Sequence, residues 1–317
     1  MARRSKNNYE KVNVYLDEIL NNTNEYNRWK SKVSTGFDNI DILIDGGIKS
    51  QLYVVGAMPS FGKTDFLNQI GDNICTQGHD VLFFSYQMKQ RDLIDRSLCR
   101  KLFLLNTRKY RKMNSFNLVY DEVDKEELEM VVDEYKKEIS ERMDVVECDS
   151  KFSIKQIKDK IENHIKIKKT KPIVIIDYIQ AIKSLDARII DKEKNDYNLS
   201  QLRDIVKNLD IGIICISSQS RDSYFKQASY DSFKDTYDIE DVADVVGYLQ
   251  FKNISEQFKS GTDVEKIRKS YEFKNQYPRK IEFVLLKNRS GLDYKIENLY
   301  YYNKNSYFCC ERIKESM

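Results

Sequence analysis

Gly56-Ala-Met-Pro-Ser-Phe-Gly-Lys-Thr64 fits the pattern G-x-x-x-x-G-K-[ST]. It stands between an apolar run, Leu52-Tyr-Val-Val55, and apolar residues at helical spacing, Phe66, Leu67, Ile70 and Ile74. These stretches predict a strand that ends at Gly56, a loop through Pro59, Ser60 and Phe61, and a helix that starts near Gly62 and continues through Asp65. The N–H groups of such a loop and the positive end of the helix behind it converge on a phosphate. In that arrangement Lys63 reaches the β- and γ-oxygens of a nucleoside triphosphate, and the Thr64 hydroxyl holds Mg²⁺. The motif in its strand–loop–helix setting therefore predicts an ATP-type phosphate cradle.

Further along, Val81-Leu-Phe-Phe-Ser85, Ile173-Val-Ile-Ile-Asp177 and Ile211-Gly-Ile-Ile-Cys-Ile216 are apolar runs of strand length, as expected of parallel strands covered on both faces. Helical patterns separate them, at 91–105, 124–142, 154–167 and 199–209. Residues 186–198 read as a polar surface loop and 252–279 as loosely patterned, while Ile239–Leu249 and Ile281–Leu286 introduce two more strands. Alternation of this kind predicts an α/β fold with a doubly wound, mostly parallel sheet. Ligands of such sheets bind at the carboxyl ends of the strands, so Gly56–Thr64, Gln87, Asp177, Gln219 and Lys287–Arg289 are expected to converge there. Asp177 is expected on the strand beside the cradle strand, where it holds Mg²⁺ through water.

The chain's 317 residues suffice for one principal domain. Lys and Arg exceed Asp and Glu by only three, which excludes a global basic field, so any nucleic-acid contact must be local. Six cysteines form no C-x-x-C pair and the two histidines are far apart, which argues against a zinc site and for reduced thiols. No run approaches a membrane span, and a soluble, cytoplasmic protein is expected. Residues 8–30 carry Val12, Tyr15, Ile19 and Leu20 on one helical face, whose stripe needs a partner surface in its own domain or in a neighbouring subunit.

The chain resembles the C-terminal motor domain of DnaB-type replicative helicases, with its RecA-like ATPase fold. Carrying the resemblance are Ser34-Thr-Gly-Phe37 with Asp41 and Gly46-Gly47, Pro59–Thr64, Phe84-Ser-Tyr-Gln-Met88 with Arg96, Ile175–Gln180, Ser218-Gln-Ser-Arg221, Ile239-Glu240 with Ala243-Asp244, and Lys287-Asn-Arg289-Ser-Gly291. They run in the family's order from about residue 33 to the end. The resemblance implies ATP and Mg²⁺ as cofactors, with Lys63, Thr64 and Asp177 at the phosphates and the metal. It makes Gln219 a γ-phosphate sensor, and Arg289 with Lys287 a finger reaching the nucleotide of the adjacent subunit, hence a hexameric ring. It makes residues 1–32 a linker helix ahead of a motor domain over 33–317, without the family's collar domain. A primase, a loader or a separate collar protein are then the expected partners. Single-stranded DNA is expected at the loop after Gln219, where Lys234-Asp-Thr-Tyr237 stands at the family's Arg-Glu-x-Gly and Arg221, Tyr224, Phe225 and Lys226 add basic and aromatic side chains.

Tyr237 stands for the glycine of that stretch, so its side-chain pattern is half matched, and two further positions depart from the family. Met58 stands where the family has an arginine before the cradle proline, and Gln87 stands where it has the glutamate that activates water. An amide orients a water but accepts no proton, so the exchange is expected to slow hydrolysis by roughly 10²–10⁴-fold. Gln87 is compatible with a natural slow or non-hydrolysing member, with an engineered change that traps ATP, or with another carboxylate at work, Asp92 or Glu240. The alternatives to a DNA-translocating ATPase are a hydrolysis-deficient, ATP-gated DNA-binding or scaffold ring, and a recombinase-like filament former.

Overall fold

The computed structural model describes Leu16 and residues 32–118, 123–183, 191–236, 238–291 and 293–313. Residues 33–317 form one compact unit and residues 1–32 another. The helix expected over 8–30 lies outside the described residues, Leu16 excepted.

The strands are β1 (Leu52–Ala57), β2 (Val81–Ser85), β3 (Met143–Glu147), β4 (Ile173–Asp177), β5 (Ile213–Ser218), β6 (Val245–Phe251), β7 (Arg279–Asn288), β8 (Lys295–Tyr302) and β9 (Tyr307–Cys309). They form one sheet in the order β3-β2-β4-β5-β1-β6-β7-β8-β9. The first six are parallel to one another and the last three antiparallel. Among the described residues the helices are α1 (Asp38–Leu43), α2 (Lys63–Thr76), α3 (Gln90–Leu105), α4 (Lys125–Tyr135), α5 (Ile154–Lys168), α6 (Asp191–Leu209), α7 (Ile239–Val242), α8 (Ile254–Gln257) and α9 (Asp263–Lys274).

Because side chains alternate along a strand, each apolar run is divided between two cores. Tyr53 and Val55 of β1 join Phe66, Leu67 and Ile70 of α2 on one face. Leu52 and Val54 join Ile157 and Ile161 of α5 and Leu202 and Val206 of α6 on the other. The cradle helix thus lies on one side of the sheet and α5 and α6 on the other, which is the doubly wound arrangement. A third, smaller core under α3 and α4 contains Cys99, Leu102, Tyr110, Met113 and Val131.

Three expectations need correction. The Asp177 strand is not beside the cradle strand, because β5 is inserted between β4 and β1. Residues 191–198 are the first turns of α6 and not a surface loop. Asn195 and Asn198 there are fully buried, with their amides donating to Asp235 O and Ile182 O. Residues 252–279 contain α8 and α9, the latter started by a capping box of Thr262 with Glu265.

Arg100 of α3 holds α2 and the β8–β9 turn together. It pairs with Asp72 and donates to Ser306 O at 2.8 Å, and both charged groups are buried. Removing one partner strands a buried charge, so Arg100→Ala is expected to destabilise the fold by about 3–5 kcal/mol, measured as a lowered urea midpoint.

Candidate nucleotide site

The loop between β1 and α2 is bent by two residues with positive φ, Ser60 at 65° and Gly62 at 79°. A side chain at Gly62 would be strained in that conformation, and its Cβ would lie 2.5 Å from Cζ of Tyr301. The bend turns α2 back over the sheet with its first N–H groups at the carboxyl ends of the strands. Lys63 opens the helix, and its Nζ donates to Ala57 O at 2.9 Å and Met58 O at 3.3 Å, which centres the ammonium group in the loop. Burial lowers its pKa to about 8, with the Asp177 carboxylate opposing that shift.

From the neighbouring residue the Thr64 hydroxyl donates to Asp177 Oδ2 at 2.5 Å, although β5 lies between β4 and the cradle strand β1. Burial raises the pKa of Asp177, and Thr64 and Lys63 counter it. A hydroxyl and a carboxylate side by side are hard oxygen donors that suit Mg²⁺, which binds through one or two protein groups together with phosphates. No group of three or more His, Cys, Asp or Glu among the described residues could hold a metal alone. Asp65 receives Arg96 of α3 and the Tyr301 hydroxyl of β8.

These groups line a cavity of about 500 Å³, a volume typical of small-molecule sites. Of the residues expected at the cradle, Pro59, Ser60, Gly62, Lys63, Thr64 and Asp65 line it, and Gln87 and Asp177 join them from β2 and β4. Gly56 and Phe61 do not. A Cβ on Gly56 would meet Tyr248 at 2.5 Å and Phe233 at 2.6 Å, so this glycine serves the packing of two rings. Phe61 is buried edge-on against Phe251, 4.6 Å between centroids.

Gln219 lies just past β5, but Ser218 and not Gln219 reaches the cavity. The Gln219 side chain is buried, donates to Ser223 O at 2.8 Å, and has no partner for Oε1 among the described residues. Lys287 and Arg289 do not converge with the rest. Strand β7 runs antiparallel to β6, and Asn288 pairs with Val245 at the start of β6, whereas the cradle end Ala57 pairs with Leu249. The two positions are therefore about 13 Å apart along the strands. At that far edge Arg289 pairs with Asp244 at 3.3 Å and donates to Asp241 O at 3.0 Å, and Lys287 donates to Ala243 O at 2.9 Å and to Glu240 O. Glu240 is at that same edge, and neither it nor Asp92 lines the cavity.

In the loop after β5, Arg221, Lys226 and Lys234 are exposed, and Lys234 pairs with the neighbouring Asp235 at 3.4 Å. Tyr224 and Phe225 pack on the core, Phe225 stacked on Phe258 at 5.0 Å, so these rings are not free to meet a base. Tyr237 lies outside the described residues. The loop is tied to the Asp177 segment by Gln180, whose Nε2 donates to Lys234 O at 3.0 Å and to Ser217 Oγ at 2.8 Å.

Several cavity residues had no assigned place in sequence reasoning: Arg279, Tyr301, Asn303, Lys304 and Ser306 from the antiparallel end of the sheet, and Asn114, Ser115 and Phe116 from the α3–α4 connection. Arg279 donates to Ser60 O at 2.8 Å and lies over the Tyr301 ring. Neither the aromatic-rich stretch Tyr300–Phe308 nor the connection holding Asn114, Ser115 and Phe116 carries a phosphate motif.

The cradle, the paired Thr64 and Asp177, and the strand order define a RecA-like P-loop fold of the nucleotide-binding class. A family model for the DnaB-like helicase C terminal domain matches residues 32–309. The chain belongs to that family. A probable replicative DNA helicase of Trieres chinensis is 25% identical over 243 residues, covering 74% of this chain and 51% of the relative. The replicative DNA helicase DnaC of Bacillus subtilis (strain 168) is 24% identical over 255 residues, covering 78% and 54%. The chain thus spans about half the length of these relatives. In fold it is similar to a solved ATPase domain, with a TM-score of 0.75 at 18% identity, covering 96% of this chain and 100% of that one. It is similar also to a DnaB-like replicative helicase studied for its interactions with primase, with a TM-score of 0.73 at 17% identity, covering 96% and 67%.

The lowered pKa of Lys63, at about 8, generates an expectation for the pH dependence of nucleotide binding. Phosphate favours the charged ammonium, so binding raises its pKa from about 8 and takes up a proton at higher pH. ATP affinity is expected to hold below that value and to fall by up to about tenfold per unit above it. Lys63→Arg, whose guanidinium stays charged, should abolish the fall in a calorimetric titration, and a wild-type affinity that stays flat through the alkaline range would contradict the assignment.

Proposed function

We propose that this chain is the ATP-driven motor of a replicative-type DNA helicase, forming a ring, translocating on single-stranded DNA and separating duplex ahead of it. The observation that carries the reading is Thr64 against Asp177 beside Lys63, in a cavity that Gln87 enters from the next strand. Loop N–H groups and Lys63 hold the β- and γ-phosphates, while Thr64 and Asp177 fit Mg²⁺. Mg²⁺ held there would supply positive charge against the negative charge that develops on a transferred phosphoryl group.

Gln87 orients the attacking water by hydrogen bonds. Phosphoryl transfer draws mainly on positioning and electrostatics, and an amide is the water-positioning group of some GTPases, so turnover does not require a carboxylate here. The cavity's own carboxylates are committed: Asp65 to Arg96 and Tyr301, Asp177 to Thr64. Single-stranded DNA stimulation of ATP turnover is the expected result, with Lys63→Ala lowering it by more than about 10²-fold. A silent parent whose Gln87→Glu variant turns over ATP would establish the non-hydrolysing scaffold instead.

Arg289 and Lys287 serve a neighbouring copy's nucleotide. This is supported by their place at the edge opposite their own cradle. Arg221, Lys226 and Lys234 are the DNA-facing cations, with Asp235 beside Lys234. Residues 1–32 act as the linker to the next subunit, and a primase or loader is the expected partner. Mixing Lys63→Ala with Arg289→Ala subunits, each inactive alone, should restore ATP turnover, since some interfaces pair an intact cradle with an intact finger. An arginine acting within its own chain would give no recovery.

A further inference from the structure

We infer that Phe116 is the stacking platform for the nucleobase, an assignment that rests on the nucleotide reading above. Three aromatic rings line the cavity: Phe116, Tyr178 and Tyr301. Tyr301 is buried, with Phe308 stacked on one face at 4.0 Å, Arg279 over the ring, and its hydroxyl on Asp65. Tyr178 packs against the core. Phe116 is 78% exposed, which leaves a large apolar ring at the rim of a polar cavity.

Its position is built. Phe116 sits on the single turn Ser115–Asn117 of the α3–α4 connection, just past Met113. The fully buried Asn305, in the turn between β8 and β9, donates to Tyr110 O at 2.9 Å and Met113 O at 3.0 Å. Arg100 holds the same turn through Ser306 O. The segment leading to Phe116 and the wall carrying Asn303 and Lys304 are thus one connected unit, and neither belongs to the phosphate loop. Asn303 also brings to that wall a carbonyl, Oδ1, without a hydrogen-bond partner among the described residues. This unit lines the same cavity as the cradle, which leaves it within the space open to the other end of a ligand whose phosphates occupy the cradle. An aromatic face there accepts any base, since every base presents a π-face.

Affinities should be measured on the full chain for ATP and for inorganic tripolyphosphate, which fills the cradle and has no base. Phe116→Ala is expected to weaken ATP roughly tenfold or more, the range of base–aromatic stacking, and to leave tripolyphosphate unchanged. In a Trp29→Phe background, Phe116→Trp should keep ATP affinity and change its emission with ATP but not with tripolyphosphate. Equal weakening of both ligands by Phe116→Ala, no change for ATP, or a tryptophan blind to ATP would overturn the assignment. A wild-type chain that binds neither ligand would instead overturn the nucleotide reading itself.

Discussion

The hydroxyl of Thr64 meets the carboxylate of Asp177 across an intervening strand, and the chemistry of the site depends on that reach. A carboxylate buried at the end of an apolar strand is held there only if other groups compensate its charge. Thr64 and the Lys63 ammonium do so, and both sit in the first turn of α2. The positive φ values of Ser60 and Gly62 set the angle at which that helix leaves the loop. Apolar packing of Phe66, Leu67 and Ile70 against the sheet then fixes where its first turn ends up.

Much of this was legible in the residues because central parallel strands are buried on both faces and so read as unbroken apolar runs. The loop was legible because Gly62, Lys63 and Thr64 answer to geometry within one short stretch of chain, whereas Gly56 answers to the rings of Tyr248 and Phe233. Strand order was not, since periodicity says which residues face a core and nothing about which strand lies alongside. Neither the place of β5 between β1 and β4 nor the antiparallel course of β7, which carries Arg289 away from the edge where a parallel strand would have left it, could be read that way. The opening turns of α6 were missed for a different reason: Asn195 and Asn198 are polar residues in core positions, whose amide N–H groups donate to backbone carbonyls that only the folded chain brings near, while their Oδ1 atoms have no partner among the described residues. The Asp65, Arg96 and Tyr301 cluster was equally hidden, because its members are 31 and 236 residues apart.

Gln180 and Asp244 give the sheet two further connections. Gln180 follows the Asp177 strand and its amide holds both the end of β5 and the loop that bears Lys234. Asp244 accepts the N–H of Leu52, the first residue of β1, while also pairing with Arg289 and Arg203. Each is a polar side chain that ties a strand end to a second element.

With the cradle at one end of the strands and Lys287 and Arg289 at the other, the molecule is unlike at its two poles. In the ring proposed above, copies joined by those poles would meet donor to acceptor, as in a row of people each with a hand on the next one's shoulder. Such an array has a built-in sense of direction, and it cannot arise from pairing two copies about a twofold axis.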